Sequence, residues 1–140
     1  MTVILSAALQ AEIYAHVEKT YPEEGAGFLL GVDGPWRRVV SIYPLANQRE
    51  EDARHNRYLI SPQDYLKGEM AAEAQGLDIV GVYHSHPDHP DRPSEFDREW
   101  AQPYFSYVIT SVQAGKAVES RSWRLSEDRA QFLEEIIQIA

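Results

Sequence analysis

Cysteine is absent from the chain, and its absence removes two classes of chemistry. No disulfide framework is available, and no metal can be held by thiolates. Long apolar runs are missing too: no stretch of 18 apolar residues occurs, so no transmembrane helix is expected. The opening residues, MTVILSAAL, lack the basic region of a secretory signal. Basic residues are scarce, 13 Lys and Arg against 22 Asp and Glu, which leaves a formal net charge of −9 and a pI of about 4.9. Binding to a nucleic-acid backbone needs clustered cations that release counterions, so nucleic acid is disfavoured as the main partner. An anionic membrane surface is disfavoured on the same ground. Cytoplasmic residence is the expectation these absences leave.

What is present fits one globular domain spanning residues 1–140, long enough to bury a single core. No internal repeat, low-complexity tract or linker interrupts it. Thr2 to Leu5 is β-branched and reads as an opening strand. Ser6 is a candidate N-cap for a helix from Ala7 to Thr20, on which Leu9, Ile13 and Val17 recur at i, i+4 and i+8. Gly27-Phe28-Leu29-Leu30-Gly31 reads as a buried strand whose glycines suggest close backbone approach. Asp33-Gly34-Pro35 turns it into a return strand from Trp36 to Tyr43. Pro44 to Arg57 reads as a long polar loop. Ser61-Pro62-Gln63-Asp64 opens a helix that runs to about Gln75 and stops at Gly76. Strands are expected from Leu77 to Tyr83, Tyr104 to Val112 and Val118 to Leu125, with a short helix from Ser94 to Gln102. After Ser126 a last helix is expected, with Leu133, Ile136, Ile137 and Ala140 on one face; core packing is the simpler reading of that stripe and a homodimer contact the alternative. Helices interleaved with hairpin strands make a mixed α/β domain.

The chemistry concentrates between Gly81 and Asp97, in GVYHSHPDHPDRPSEFD. Residues i and i+2 of a strand share a face, so His84 and His86 aim two imidazoles at one point, and Asp97 can return to it with an oxygen. Two nitrogens and one carboxylate oxygen suit Zn²⁺, and three protein ligands leave a fourth position for water. Spacing alone leaves the alternative open that these histidines are surface or hydrogen-bonded residues. Ser94-x-x-Asp97 reads equally as a helix N-terminal capping pair, which is compatible with a site because a helix start would fix where Asp97 points. Glu23-Glu24 reads on its own as a solvated acidic pair at a helix exit. Ser85 faces away from the imidazoles, and Asp88 and His89 read as a solvated loop.

His84-Ser85-His86, seven residues, Ser94, two residues and Asp97 resemble the JAMM (MPN+) metallopeptidase signature, with its full spacing. The upstream glutamate of that family is similar in context to Glu24, in Glu24-Gly25-Ala26-Gly27-Phe28-Leu29-Leu30-Gly31. Ala26 stands where relatives often have cysteine, a departure that touches nothing catalytic. Pro44-Leu45-Ala46-Asn47 and Tyr58-Leu59-Ile60-Ser61-Pro62 extend the resemblance across roughly residues 6–110.

The resemblance implies a single mixed, largely antiparallel curved sheet flanked by helices, the MPN/JAB1 fold, similar to cytidine-deaminase architecture. It implies one Zn²⁺ per chain held by His84, His86 and Asp97, with water as fourth ligand. Glu24 is then the general base and acid, and Ser94 the donor to the tetrahedral oxyanion. Asn47 is a candidate for substrate binding, with a local turn hydrogen bond as the alternative. The chain is most similar to the stand-alone prokaryotic members. The implied substrate is a ubiquitin-like protein with a Gly-Gly C-terminus, foremost a sulfur carrier from which a C-terminal amino acid or extension is released. The alternative from another class is a non-catalytic MPN-type scaffold. Zinc-dependent deamination has no support, because its Pro-Cys-x-x-Cys pattern needs the absent cysteines.

Overall fold

The computed structural model describes residues 1–46 and 60–140. Asn47 and His55 lie outside the described residues. The elements run β1 (Thr2–Leu5), α1 (Ala7–Thr20), β2 (Ala26–Val32), β3 (Arg37–Leu45), α2 (Pro62–Ala74), β4 (Asp78–Pro87), α3 (Glu95–Trp100), β5 (Ser106–Gln113), β6 (Lys116–Leu125) and β7 (Phe132–Ile139). The seven strands form one mixed sheet in the order β1-β3-β2-β4-β5-β6-β7, and it closes on itself through a parallel β7–β1 pairing. The expected single mixed sheet with helices is present, and its closure into a barrel goes beyond the expected curvature. Strands β1 and β3, and β4 and β5, also pair in parallel; the remaining neighbours are antiparallel.

Local chemistry explains the helices. Ser6 Oγ accepts the Leu9 amide at 3.0 Å and starts α1, whose buried Leu9, Ile13 and Val17 are the stripe read from the sequence. Ser61 and Asp64 form a reciprocal capping box at the head of α2, with Pro62 in the first turn. Close approach does require glycine on β2. A Cβ at Gly27 would lie 2.4 Å from the Tyr83 ring, and one at Gly31 would lie 2.0 Å from the Arg38 carbonyl oxygen.

Two apolar clusters lie on the two faces of the sheet. One gathers α1 with Val3, Leu5, Leu29, Val80, Tyr83 and Val108. The other gathers Phe28, Leu30, Ala72 of α2, Ile79, Val82, Tyr107 and Leu125. Strict alternation along β4 would put Val80 and Val82 on one face, yet they lie in different clusters. The cause is a register shift: Leu29 pairs with Gly81 and Leu30 with Ile79, so Val80 is the extra residue of a bulge. From Val82 onward the parity is reversed, and His84 and His86 fall on the face of β4 that carries Val82.

The C-terminal helix expected after Ser126 is not formed; residues 132–139 are strand β7. Ser126 does organise a local cap, but for a turn: its hydroxyl accepts the Gln131 amide and its backbone N–H donates to the Gln131 carbonyl. The i, i+3, i+4 spacing of Leu133, Ile136 and Ile137 imitates a helical stripe. Ile136, Ile137 and Ile139 also have β-branched side chains that favour a strand, and closure of the barrel between β1 and β6 decides between the two. Within β7 the buried side chain is Glu135, which accepts from Ser122 at 2.7 Å and Arg124 at 2.6 Å, while Ile136 is 66% exposed. The helix expected from Ser94 to Gln102 is shorter, Glu95–Trp100. Strand β4 runs on through both histidines to Pro87 instead of ending before them. Pro44 and Leu45, expected in the loop, belong to β3.

Candidate metal centre

β4 delivers His84 and His86 to one face, and α3 delivers Asp97 opposite them. Their ligand atoms all lie within 4.8 Å of one another, and all three side chains are buried. Asp97 Oδ1 lies 3.8 Å from His84 Nε2, and Asp97 Oδ2 lies 3.1 Å from His86 Nε2. Glu24, buried just before β2, brings Oε1 to 3.8 Å from His84 Nδ1. Glu23, by contrast, is partly exposed.

Local structure aims each group. Ser94 is the N-cap of α3: its Oγ accepts the Asp97 amide at 3.1 Å, and the Ser94 amide donates to Asp97 Oδ2 at 2.8 Å. The capping reading and the site reading of this pair are therefore both realised in one geometry, since the box holds the Asp97 carboxylate toward the histidines. Ser94 Oγ serves that cap as an acceptor, which leaves its hydroxyl proton for another partner. Ser85, on the opposite face, takes the Gly25 amide on its hydroxyl at 2.9 Å and ties β4 to the segment carrying Glu24.

Whether this donor set fits a cation can be tested on His86. Its Nδ1 lies 2.8 Å from the Pro90 carbonyl oxygen. A carbonyl only accepts, so Nδ1 carries the proton. In its neutral form His86 then turns the lone pair of Nε2 toward a carboxylate oxygen at 3.1 Å, and in its charged form, which Asp97 favours, Nε2 donates to that oxygen. Two acceptors at that distance repel unless a proton or a metal ion lies between them. The second histidine adds to the fit. Burial holds the His84 pKa down to about 4, so its imidazole is neutral at physiological pH and a ring nitrogen is free of its proton for a metal. Burial works against charge on Asp97 also, but the nearby histidines and the Ser94 amide outweigh it and hold that carboxyl at about 2. For His86 burial lowers the pKa, and the hydrogen bond and charge of Asp97 more than reverse it. The arrangement can hold a divalent metal ion with two imidazoles and a carboxylate.

An open cavity of about 470 Å³ lies against the cluster, lined by Glu24, His86, Pro87, His89, Pro90, Arg92 and Ser94. All five chemically distinctive positions of the motif thus converge, Glu24, His84, His86, Ser94 and Asp97. Asn47 lies outside the described residues.

The supports of the loop after β4 were not legible in the sequence. Trp123 Nε1 on β6 donates to the Asp91 carbonyl at 3.0 Å, and Ser111 Oγ on β5 donates to the His89 carbonyl at 2.6 Å. Between those two anchored residues stands Pro90, whose carbonyl sets the His86 tautomer. Asp88 is exposed, as a solvated loop predicts, and also accepts from Tyr21 at 2.7 Å and from the Ala114 amide at 2.9 Å, in a left-handed conformation with φ 59°. No local signal marks Trp123, because its partner is 32 residues away.

Comparison with known proteins agrees with this geometry. The profile of prokaryotic homologs of the JAB domain matches residues 6–126. A probable TtuB-protein conjugate cleaving protease of Thermus thermophilus is 32% identical over 117 residues, covering 81% of this chain and 75% of that protein. The CysO-cysteine peptidase of Mycobacterium tuberculosis is 29% identical over 124 residues, covering 88% and 82%. A solution structure of a Desulfitobacterium hafniense protein matches with a TM-score of 0.85 at 30% identity, covering 100% of this chain and 93% of that one.

Proposed function

The chain belongs to the prokaryotic homologues of the JAB domain, and from that premise we propose that it is a zinc-dependent peptidase or isopeptidase. Its substrate is the C-terminal Gly-Gly tail of a ubiquitin-like protein, foremost a sulfur carrier bearing an amino acid or protein in amide linkage. The cytidine-deaminase-like layout and cytoplasmic residence belong to the same reading. So do the individual roles of the site residues. The names of two relatives, one cleaving TtuB–protein conjugates and one acting on CysO–cysteine, support this class of substrate.

The carrying observation is that the ligand atoms of buried His84, His86 and Asp97 lie within 4.8 Å of one another, with His84 held neutral. Nitrogen and carboxylate donors without thiolates suit zinc, which His84, His86 and Asp97 would hold. Bound zinc supplies Lewis acidity, which brings the pKa of a coordinated water to roughly 7 and polarises a carbonyl. The remaining work falls to the chain. Glu24, buried at the cavity wall, accepts the proton of the attacking water and returns it to the leaving amine. Ser94 donates its uncommitted hydroxyl proton to the oxygen that gains charge as the carbonyl becomes tetrahedral. The cap that fixes Ser94 also fixes Asp97, so donor and ligand are held by one turn of helix.

Metal analysis of the purified protein and turnover of Gly-Gly fusions test the reading. About one zinc per chain is expected. Glu24→Gln should retain the metal and lose roughly 10²–10⁴ in kcat. A folded protein that takes up no zinc from excess metal would sink the enzyme and leave a non-catalytic scaffold in its place.

A further inference from the structure

The cavity beside the metal cluster has one wall residue the reading above does not use. Arg92 is exposed and lines the cavity together with Glu24, His86 and Ser94. The other arginines on this side of the molecule are engaged. Arg98 pairs with Glu95 and donates to the Arg129 carbonyl, Arg121 pairs with Asp91 and Glu134, Arg124 pairs with Glu135, and Arg129 donates to the carbonyls of Arg98, Glu99 and Ala101. Arg92 has no hydrogen bond or ion pair among the described residues. A free guanidinium at the mouth of a cavity whose wall includes a carboxylate, in a chain of net charge −9, is a site for an anion.

The substrate offers such an anion in only one of its two forms. When the group joined to the carrier is a lysine side chain within a protein, no charge lies close to the scissile nitrogen. When it is a single amino acid, its α-carboxylate is two bonds from that nitrogen. Hydrolysis adds one water across the C–N bond: the carrier glycine leaves as a carboxylate, and the amino acid leaves with its amine protonated and its own carboxylate intact. That carboxylate must sit near Glu24, which repels it unless a cation stands opposite. Resting on the proposed function, we infer that Arg92 binds the free α-carboxylate of the released amino acid. The enzyme is thereby specified toward carriers with a single C-terminal amino acid over isopeptide-linked proteins.

The test crosses enzyme variants with two forms of one substrate, a ubiquitin-like carrier extended beyond Gly-Gly by one residue, made as the free acid and as the C-terminal amide. Zinc-loaded wild type should favour the acid by about tenfold in kcat/KM, the low end for a charge-assisted hydrogen bond at an exposed site. Arg92→Ala should abolish that preference, with the acid falling to the level of the amide and the loss lying in KM. Arg92→Glu should invert it, and Arg92→Lys should keep part of it. Equal treatment of acid and amide by a cleaving wild type, or an undiminished preference in Arg92→Ala, would overturn the inference and spare the peptidase. Cleavage of neither form would overturn both.

Discussion

Strands β4 and β5 carry a buried polar cluster at each end, and the two are built on opposite logic. At their N-terminal end Arg37, 1% exposed, donates to the carbonyls of Val80 at 2.9 Å and Tyr104 at 3.0 Å, to Ser106 Oγ at 2.9 Å and to Asp33 at 3.2 Å. The Tyr104 ring also lies 4.8 Å from its guanidinium carbon. Every partner is an acceptor or a π face, so the buried cation is enclosed by complementary groups. Toward the other end His84, His86 and Asp97 bring two imidazoles and a carboxylate within 4.8 Å of one another, with no arginine or lysine among them. One end buries a cation that the chain supplies; the other gathers ligand atoms that can hold a cation from outside. Burial and polarity are common to both. The distinction between a structural cluster and a binding site lies in whether the partners complement one another.

The comparison is broken most severely by removing a member of each cluster. Asp97→Ala takes away the only carboxylate of the ligand set, so zinc content should fall far below one per chain and turnover of Gly-Gly fusions should go with it. Metal-free folding should survive, because the lost anion faced groups that burial already keeps near neutrality on the His84 side. Arg37→Leu should do the reverse. It leaves the Val80 and Tyr104 carbonyls and Ser106 without their donor, at a cost of about 3 kcal/mol read in urea unfolding, while the folded fraction still binds zinc one to one. An Arg37 variant that lost metal in proportion to activity while keeping its stability would erase the distinction. Excess zinc sharpens it from the other side, since a ligand at 100 times its dissociation constant stabilises the native state by about 2.7 kcal/mol. That gain should appear in wild type and in Arg37→Leu, and vanish in Asp97→Ala.

The two clusters also differ in how far they could be read from the sequence. Four residues of the metal centre lie within 14 positions, His84, His86, Ser94 and Asp97, and strand parity with a helix cap suffices to bring them together. Glu24 needed the family context, because two adjacent glutamates at a helix exit carry no signal of their own. Arg37 reads as one more polar residue in a hairpin, and apart from Asp33 its partners lie 43 to 69 positions away. The bulge at Val80, which sets the face of both histidines, follows from the pairing of β4 with β2 and has no local mark in the apolar run Ile79-Val80-Gly81-Val82. The C-terminal helix failed for the same kind of reason. Its spacing satisfied a 3.6-residue period, and only closure of the barrel favours the strand.

A smaller effect tests the support that joins metal site to scaffold. Trp123→Phe keeps the aromatic volume and deletes the donor to the Asp91 carbonyl, next to the Pro90 carbonyl that holds the His86 tautomer. Zinc affinity measured by chelator competition should weaken by roughly tenfold, the scale of an outer-shell loss, while stability changes by about 1 kcal/mol. Nitrogen chemical shifts of His86 in the metal-free protein should report a mixture of tautomers in place of one. Unchanged affinity together with an unchanged tautomer would mean that Pro90 is held by the rest of its loop without Trp123.

The smallest expected effect concerns a third histidine, which the protein itself satisfies. His16 Nδ1 lies 2.7 Å from the Tyr83 hydroxyl, with the rings edge to face at 5.7 Å. Burial raises the Tyr83 pKa, so the phenol keeps its proton and donates it; burial and the charge of Lys19 lower the His16 pKa, so the imidazole is neutral and accepts. The sign of the linkage follows. A base with a depressed folded pKa is protonated more readily in the unfolded chain, so its contribution is complete above the unfolded value near 6.5. It is lost as the pH falls from there through the folded value. His16→Gln retains an acceptor for Tyr83 and removes the titration. The difference in unfolding free energy between wild type and variant should therefore narrow in the variant's favour between pH 7 and pH 5. His84 and His86 titrate alike in both proteins and cancel from that difference. A pH-independent difference would show that the Tyr83 contact is as strong with a charged imidazole, and a difference growing in favour of wild type at acid pH would reverse the roles of donor and acceptor. Zinc should leave the His16 term unaltered, because its partner is already in the chain.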